Sequence, residues 1–138
     1  LAKNSTVIAN RFGFATTARD LARFGLLMSA NGFWDGKDVL VDKDYIKQAT
    51  SPSQQLNPSY GYLWWLNGGP FVARGGGEKK PGRLLPSAPK DMYAAQGKLG
   101  RRLYVIPSQQ LVITRLGDQS GNNFGGEFFR LLRAASGK

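Results

Sequence analysis

Apolar residues recur at helical spacing in the N-terminal third of the chain, at Leu21, Phe24 and Met28. Thr17 precedes them and Asp20 follows three positions later, which is typical of a capped helix start. Asn31-Gly32 is typical of a helix end, because both residue types tolerate a left-handed backbone. The pattern therefore predicts a helix over about 17–30.

Shorter elements are predicted after this helix. Asp35-Gly36 favours a tight turn between two short extended segments. Asp42 is a suitable N-cap for a short helix that runs to Ala49. Residues 60–66 are aromatic and predict a strand. Alternation along that strand would place three of its aromatic residues on one face, namely Tyr60, Tyr62 and Trp64.

The C-terminal third predicts a small antiparallel sheet closed by a helix. Three strands are expected over 91–96, 99–106 and 110–116, and the connections between them are short, which favours antiparallel neighbours. Asn122 or Asn123 would cap a final helix with one apolar stripe, formed by Phe124, Phe128, Leu131, Leu132 and Ala135. The order predicts an α+β fold with a helical region over 12–59, sheet strands over 60–66 and 91–116, and a C-terminal helix over 122–135.

Residues 67–90 differ from the rest in composition. They contain six Gly, four Pro and a net charge of +4. Such a stretch predicts a long basic loop, which would serve either as a functional loop near a cleft or as a solvated flexible insertion. Composition alone does not decide between these two roles, and the second is preferred.

The amino-acid composition excludes several kinds of functional site. The chain has 138 residues, 19 Lys and Arg, 9 Asp and Glu, and a net charge of +10. It contains 0 Cys and 0 His, so it supplies no thiol nucleophile, no histidine base and no histidine or cysteine metal site. No apolar run is long enough for a membrane span. We therefore expect no metal and no cofactor.

Several segments together resemble one enzyme family. In chain order they are Gly13–Gly25, Asn31–Gly36, Tyr60–Trp65, Ala95–Gly100, Leu103–Pro107 and Leu111–Ile113. Together they are similar to the C-terminal part of the serine β-lactamase and penicillin-binding family, in its class C-like branch with carboxylesterases and 6-aminohexanoate-dimer hydrolases. The resemblance covers about 12–135. It implies the last strands of a β-lactamase/transpeptidase-like fold, its closing helix and part of its helical subdomain.

The resemblance also implies a reaction. Members of the family cleave amides or esters through an acyl-enzyme, with a Ser-x-x-Lys nucleophile and a Tyr-x-Asn or Ser-x-Asn motif. The two formal matches here, Ser87–Lys90 and Ser29–Asn31, are rejected because the first is Pro-rich and the second ends a helix. The nucleophile and its lysine are thus expected outside this chain, in the N-terminal part of the same protein. By itself the chain is expected to be inactive.

A third family motif, a Lys/His-Thr/Ser-Gly triplet, is matched in altered form by Ala95-Gln96-Gly97. Ala95 carries no charge, which makes recognition of a β-lactam carboxylate by a triplet lysine less favoured. The Lys98 backbone N–H is the expected oxyanion donor, and Arg101 stands where relatives often have Gln. Tyr62 and Trp64 are the expected aromatic wall, with core packing as the alternative for Trp64.

The expected partner is a small amide, ester or peptidoglycan-like substrate. A bacterial extracytoplasmic location is slightly favoured by the resemblance. Two other hypotheses remain: a catalytically inert accessory protein of the same fold, and a polyanion-binding module suggested by the +10 charge. Specific nucleic-acid binding is not expected, because the charge is spread along the chain without a recognised motif.

Overall fold

The computed structural model describes residues 15–75 and 77–137. Within these ranges the helices are α1 (Ala18–Ser29), α2 (Lys43–Ala49) and α3 (Phe124–Ala135). The strands are β1 (Phe33–Trp34), β2 (Lys37–Asp38), β3 (Trp65–Leu66), β4 (Phe71–Ala73), β5 (Lys79–Pro81), β6 (Tyr93–Gln96), β7 (Arg102–Ile106) and β8 (Leu111–Arg115). Residues 12–14 of the predicted helical region lie outside the described residues.

Local signals determine how the two N-terminal helices begin. The Thr17 hydroxyl oxygen accepts a hydrogen bond from the Asp20 backbone N–H at 3.1 Å, so the predicted cap of α1 is confirmed. Asp42 caps α2 in the same way, since its carboxylate accepts from the Tyr45 N–H at 2.8 Å. Asn31 (φ 51°) ends the first of these helices in the expected left-handed conformation.

The main sheet has four strands in the order β3-β6-β7-β8, and every neighbouring pair is antiparallel. The predicted meander of three C-terminal strands is therefore confirmed. Strand β7 is buried on both faces, because Leu103 and Val105 point to one side while Tyr104 and Ile106 point to the other. The described part of the chain is thus an α+β arrangement of small antiparallel sheets with a C-terminal helix.

Helices cover both faces of this sheet. The first face packs against α1 and α2 through Met28, Ile46, Ala49, Trp64, Leu66, Tyr93, Leu103 and Val105. The second face packs against α3 and the segment before β6 through Ala88, Met92, Ala94, Tyr104, Ile106 and Phe129. Because the two clusters use alternate residues of each strand, the sheet forms the central layer between them.

The predicted strand over 60–66 is mostly wrong. Only Trp65 and Leu66 form β3, because the chain makes a turn before them. Leu63 has a positive φ of 64°, and the Gly61 N–H donates to the Trp64 carbonyl at 2.8 Å. The turn folds Tyr60 back against Trp65, with ring centroids 4.9 Å apart, so the predicted common face of Tyr60 and Trp64 is also wrong.

The basic segment 67–90 is more ordered than predicted. It contains the β4–β5 hairpin, and the Asn57 side chain holds this hairpin by pairing with both the N–H and the carbonyl of Ala73. The fully buried Asn67 accepts from the Leu85 N–H at 2.7 Å. Its amide nitrogen lies 2.8–3.2 Å from the carbonyl oxygens of Leu85, Ala88 and Pro89. The prediction of a continuous loop is therefore wrong.

Other boundaries shift by a few residues. Asp91 and Met92 precede β6, and residues 98–100 form a tight turn before β7, with Leu99 in a left-handed conformation (φ 61°). The C-terminal helix begins at Phe124 rather than at 122, after the N-cap residue Asn123. Its predicted apolar stripe is partly wrong, because the deeply buried residue is Phe129, whereas Leu131 is 53% exposed.

No helix in the described ranges has the length and apolar character that crossing a membrane requires.

Candidate functional site

Strand β6 holds the predicted triplet, and one of its edges is partly open. Along its whole length, from Tyr93 to Gln96, β6 pairs with β7. On the other side, β3 pairs only with Tyr93 and Ala94. Ala95 and Gln96 therefore have a neighbouring strand on one side and none on the other among the described residues.

The direction of the backbone groups at this edge follows from two hydrogen bonds. The Met92 carbonyl accepts from the Asn67 N–H at 2.9 Å on the β3 side, and the Gly97 N–H donates to the Arg101 carbonyl at 2.9 Å on the β7 side. Backbone groups of successive strand residues point to alternate edges. Consequently the N–H and carbonyl of Gln96 face the open edge. Gly97 continues the extended conformation (φ −107°, ψ 172°) toward Lys98.

The Lys98 backbone N–H lies at the end of this edge and is accessible. Within the ranges that the structure describes, no atom accepts a hydrogen bond from it, and both Gly97 and Lys98 are exposed. The turn that follows is fixed, because the Arg102 guanidinium donates to the carbonyls of Gly97 (3.0 Å) and Arg101 (2.9 Å). This ordered turn therefore leaves an amide N–H free to bind a negatively charged oxygen.

Three of the predicted site residues line one cavity on the α1 and α2 side of the sheet. Ala95, Tyr62 and Trp64 lie in its wall, together with side chains of α1, α2 and the segment between β2 and α2. The cavity is open, has a volume of about 540 Å³ and is lined mainly by apolar groups. The structure thus brings the small side chain of the triplet next to the predicted aromatic wall.

The two aromatic residues of this wall differ in their surroundings. Trp64 is only 7% exposed and packs edge-on against Tyr93, with ring centroids 5.1 Å apart, so the core interpretation fits it. Tyr62 is 42% exposed, and its ring lies 5.8 Å from that of Tyr45. Tyr62 is therefore the better placed of the two to contact a bound molecule.

Gln96 and Arg101 do not join this cavity. Gln96 lies on the α3 side of the sheet and lines a smaller polar cavity of about 110 Å³, while Arg101 is exposed and lines neither. The walls of the polar cavity include Arg74, Arg102 and Tyr104. Burial raises the pKa of the Tyr104 phenol, and the nearby Arg102 and Arg115 guanidinium groups oppose part of that rise. The strand thus separates an apolar cavity from a basic one.

Sequence reasoning missed residues that line these cavities. Phe24, Val41 and Tyr45 belong to the apolar cavity, and Arg74 and Arg102 belong to the polar one. The sequence pattern predicted Phe24 on the apolar face of α1. Nothing in the sequence indicated that it would lie beside residues some forty positions later. Such contacts depend on how the helices lie on the sheet.

Two formal motif matches have ordinary structural roles. Ser87 donates its hydroxyl proton to the Gly126 carbonyl at 2.8 Å, and no helix begins there. Ser29 is the last residue of α1, and Asn31 follows in a left-handed conformation. Ser87 therefore lacks the helix-start geometry that the family's nucleophile requires, and Ser29–Asn31 forms the end of a helix. The described residues also contain no group of three or more carboxylates that could hold a metal ion.

A scan of the sequence against models of known protein families finds no match. A search of curated proteins also finds no match.

Proposed function

We propose that this chain forms one wall of a serine hydrolase active site that cleaves amide or ester bonds through an acyl-enzyme. The observation that carries this proposal is the open edge of β6, where Gln96 and Lys98 offer unpaired backbone groups beside an apolar cavity. The resemblance of Ala95–Gly100 to the family's triplet strand supports it. The nucleophilic Ser and its Lys would lie outside this chain.

The wall would act through two kinds of hydrogen bond. The backbone of Gln96 would pair with an extended substrate, as an added strand does at a sheet edge. The Lys98 N–H would donate to the carbonyl oxygen that becomes negatively charged when the serine attacks, and the serine's own N–H would be the second donor. Ala95 carries no charge, so binding at this position would not require a substrate carboxylate.

A pair of substitutions at Lys98 tests the oxyanion role in the full enzyme that includes the nucleophile. Lys98→Pro removes the backbone N–H, and the preceding Gly97 already has the extended conformation (φ −107°, ψ 172°) that the residue before a proline favours. We expect kcat to fall by about 100- to 1,000-fold, as for loss of one oxyanion donor. Lys98→Ala keeps the N–H and should retain most of the activity. Equal losses in both variants would show that the side chain or the fold, rather than the N–H, is responsible.

Labelling of the isolated chain tests the position of the nucleophile. A fluorescent fluorophosphonate phosphonylates activated serines and releases fluoride. It should not label this chain, because Ser87, the serine of the one formal Ser-x-x-Lys match, donates its hydroxyl proton to the Gly126 carbonyl. Stoichiometric labelling of any serine here would contradict the proposal.

A polyanion-binding accessory protein is the second proposal. It is favoured by one observation, the polar cavity with Arg74 and Arg102 in its walls.

A further inference from the structure

The apolar cavity beside Ala95 has no positive charge in its walls, although the protein carries 19 basic residues. Four other cavities of the described part each have at least one Lys or Arg in their lining. The one charged side chain in the apolar cavity is Asp42, whose carboxylate accepts from the Tyr45 N–H at the start of α2. An anionic ligand group would therefore find no counter-charge there.

The walls of the cavity are aromatic. Phe24 and Trp64 stack with ring centroids 6.1 Å apart and an interplanar angle of 19°. Tyr45 and Tyr62 form a second, tilted pair. At the rim, the exposed fractions are 78% for Val41 and 81% for Leu63. This surface would gain by covering an apolar group, whereas an anionic group would lose its hydration without a positively charged partner.

We propose that this cavity binds an uncharged aryl or alkyl group of the substrate, next to the bond held at the β6 edge. The inference rests on the proposed function. Strand β6 lines the cavity through Ala95, and the backbone groups of Gln96 and, just after the strand, Lys98 lie at its open edge. Ala95 contributes only a methyl group to the cavity wall. The substrate class is therefore a neutral, apolar amide or ester.

Three ligands of nearly the same shape test the charge preference: benzamide (neutral), benzoate (anionic) and benzamidinium (cationic). The readout is the indole N–H signal of Trp64 in two-dimensional NMR of the chain as it stands. Trp65 packs on the opposite face of the sheet and is the internal control. For ligands of this size we expect saturation to need about 10 mM. Benzamide should shift the Trp64 signal at concentrations roughly fivefold lower than benzoate. Benzamidinium should lie closer to benzamide than to benzoate, because Asp42 offers it a carboxylate.

A matched pair of variants tests whether the cavity itself sets this preference. Val41→Lys puts a cation at the rim and should raise the affinity of benzoate relative to benzamide by about threefold. Leu56→Lys makes the same charge change at a site that is 73% exposed and lines none of the described cavities, so it should leave the ratio unchanged. An equal change in both variants would overturn the proposal, because it would reflect net charge only.

Two further outcomes would overturn it. In the unmodified chain, benzoate could shift Trp64 at concentrations as low as benzamide does, which would exclude a neutral-ligand cavity. Alternatively, none of the three ligands could shift Trp64, which would show that the cavity does not bind small apolar groups. Ligand binding does not require the nucleophile. If Lys98→Pro and Lys98→Ala lost activity equally while benzamide still bound selectively, only the proposed hydrolase function would be rejected.

Discussion

At the scale of single residues, burial changes the chemistry of Tyr93. This side chain is 7% exposed and lies between the helical layer and the sheet. Burial, together with the nearby negative charge of Asp91, raises the pKa of Tyr93 to about 12. The neutral phenol is therefore favoured in the folded state, whereas in the unfolded chain the same group loses its proton near its ordinary pKa of about 10.

This shift predicts a loss of stability at high pH. The contribution is fully present below pH 10 and declines as the pH rises toward 12, because only the unfolded state then releases the proton. Between pH 9 and 11.5 the free energy of unfolding should fall by about 2 kcal/mol more in the unmodified chain than in Tyr93→Phe. Urea unfolding at the two pH values measures this difference. Parallel pH profiles for the two proteins would contradict the prediction.

Residue-level predictions succeeded where the relevant contact is local. Thr17 and Asp42 cap helices within three positions of themselves, so their roles follow from the sequence. The prediction that Ala95 and Gln96 share one site had less support from the sequence, because the side chains of adjacent strand residues point to opposite faces of a sheet. The positions of α1, α2 and α3 determine which face of β6 borders the apolar cavity and which face borders the arginine side chains.

At the scale of elements, α1 lies very close to the sheet, and Gly25 makes this possible. A Cβ atom at Gly25 would lie 2.5 Å from Val112 Cγ1 and 2.8 Å from Leu103 Cδ1. Both atoms belong to side chains within the core, so neither can move away freely. The absence of a side chain at this helix position therefore sets the distance between α1 and the strands β7 and β8.

Gly25→Ala should destabilise the protein although alanine favours helices. The gain in helix propensity is about 1 kcal/mol, while overpacking of a core typically costs about 1–3 kcal/mol. We expect a net loss of about 1 kcal/mol in chemical denaturation. Gly121→Ala is the control, since an added Cβ there would meet no atom within 4 Å. An increase in stability for Gly25→Ala would show that α1 can shift on the sheet.

Elements with a strong periodic pattern were predictable, and those set by side-chain anchors were not. The helix α1 and the β6–β7–β8 meander follow from apolar spacing and short turns. The β4–β5 hairpin was not predicted, because its Gly and Lys content is not typical of strands. It depends on Asn57, whose side chain pairs with Ala73 sixteen positions away. No local pattern indicates such a long-range pair.

At the scale of the whole molecule, the positive charge is distributed rather than focused. Residues 1–66 carry a net charge of +2, while 67–90 and 91–138 carry +4 each. A net positive charge of this kind attracts polyanions through long-range electrostatics, without recognition of their sequence. The α+β fold class could be predicted from the order of elements, whereas the separation of the basic and the apolar cavity by β6 could not.

Binding to DNA should therefore be weak and independent of sequence. In fluorescence anisotropy, two duplexes of equal length and different sequence should bind equally. Their affinity should fall by at least tenfold between about 50 mM and 200 mM salt. Binding that prefers one duplex, or that does not weaken at the higher salt concentration, would contradict this electrostatic mode.

The buried position of Asn67 also affects how the protein ages chemically. An Asn followed by Gly in a flexible peptide loses ammonia when the next backbone nitrogen attacks the side-chain amide and forms a succinimide ring. Asn67 precedes Gly68, but its amide is fixed by the backbone of Leu85, Ala88 and Pro89 and is closed to water. Folding thus protects the Asn67 side-chain amide from spontaneous deamidation. Storage conditions that open the 85–89 segment would allow this amide to react.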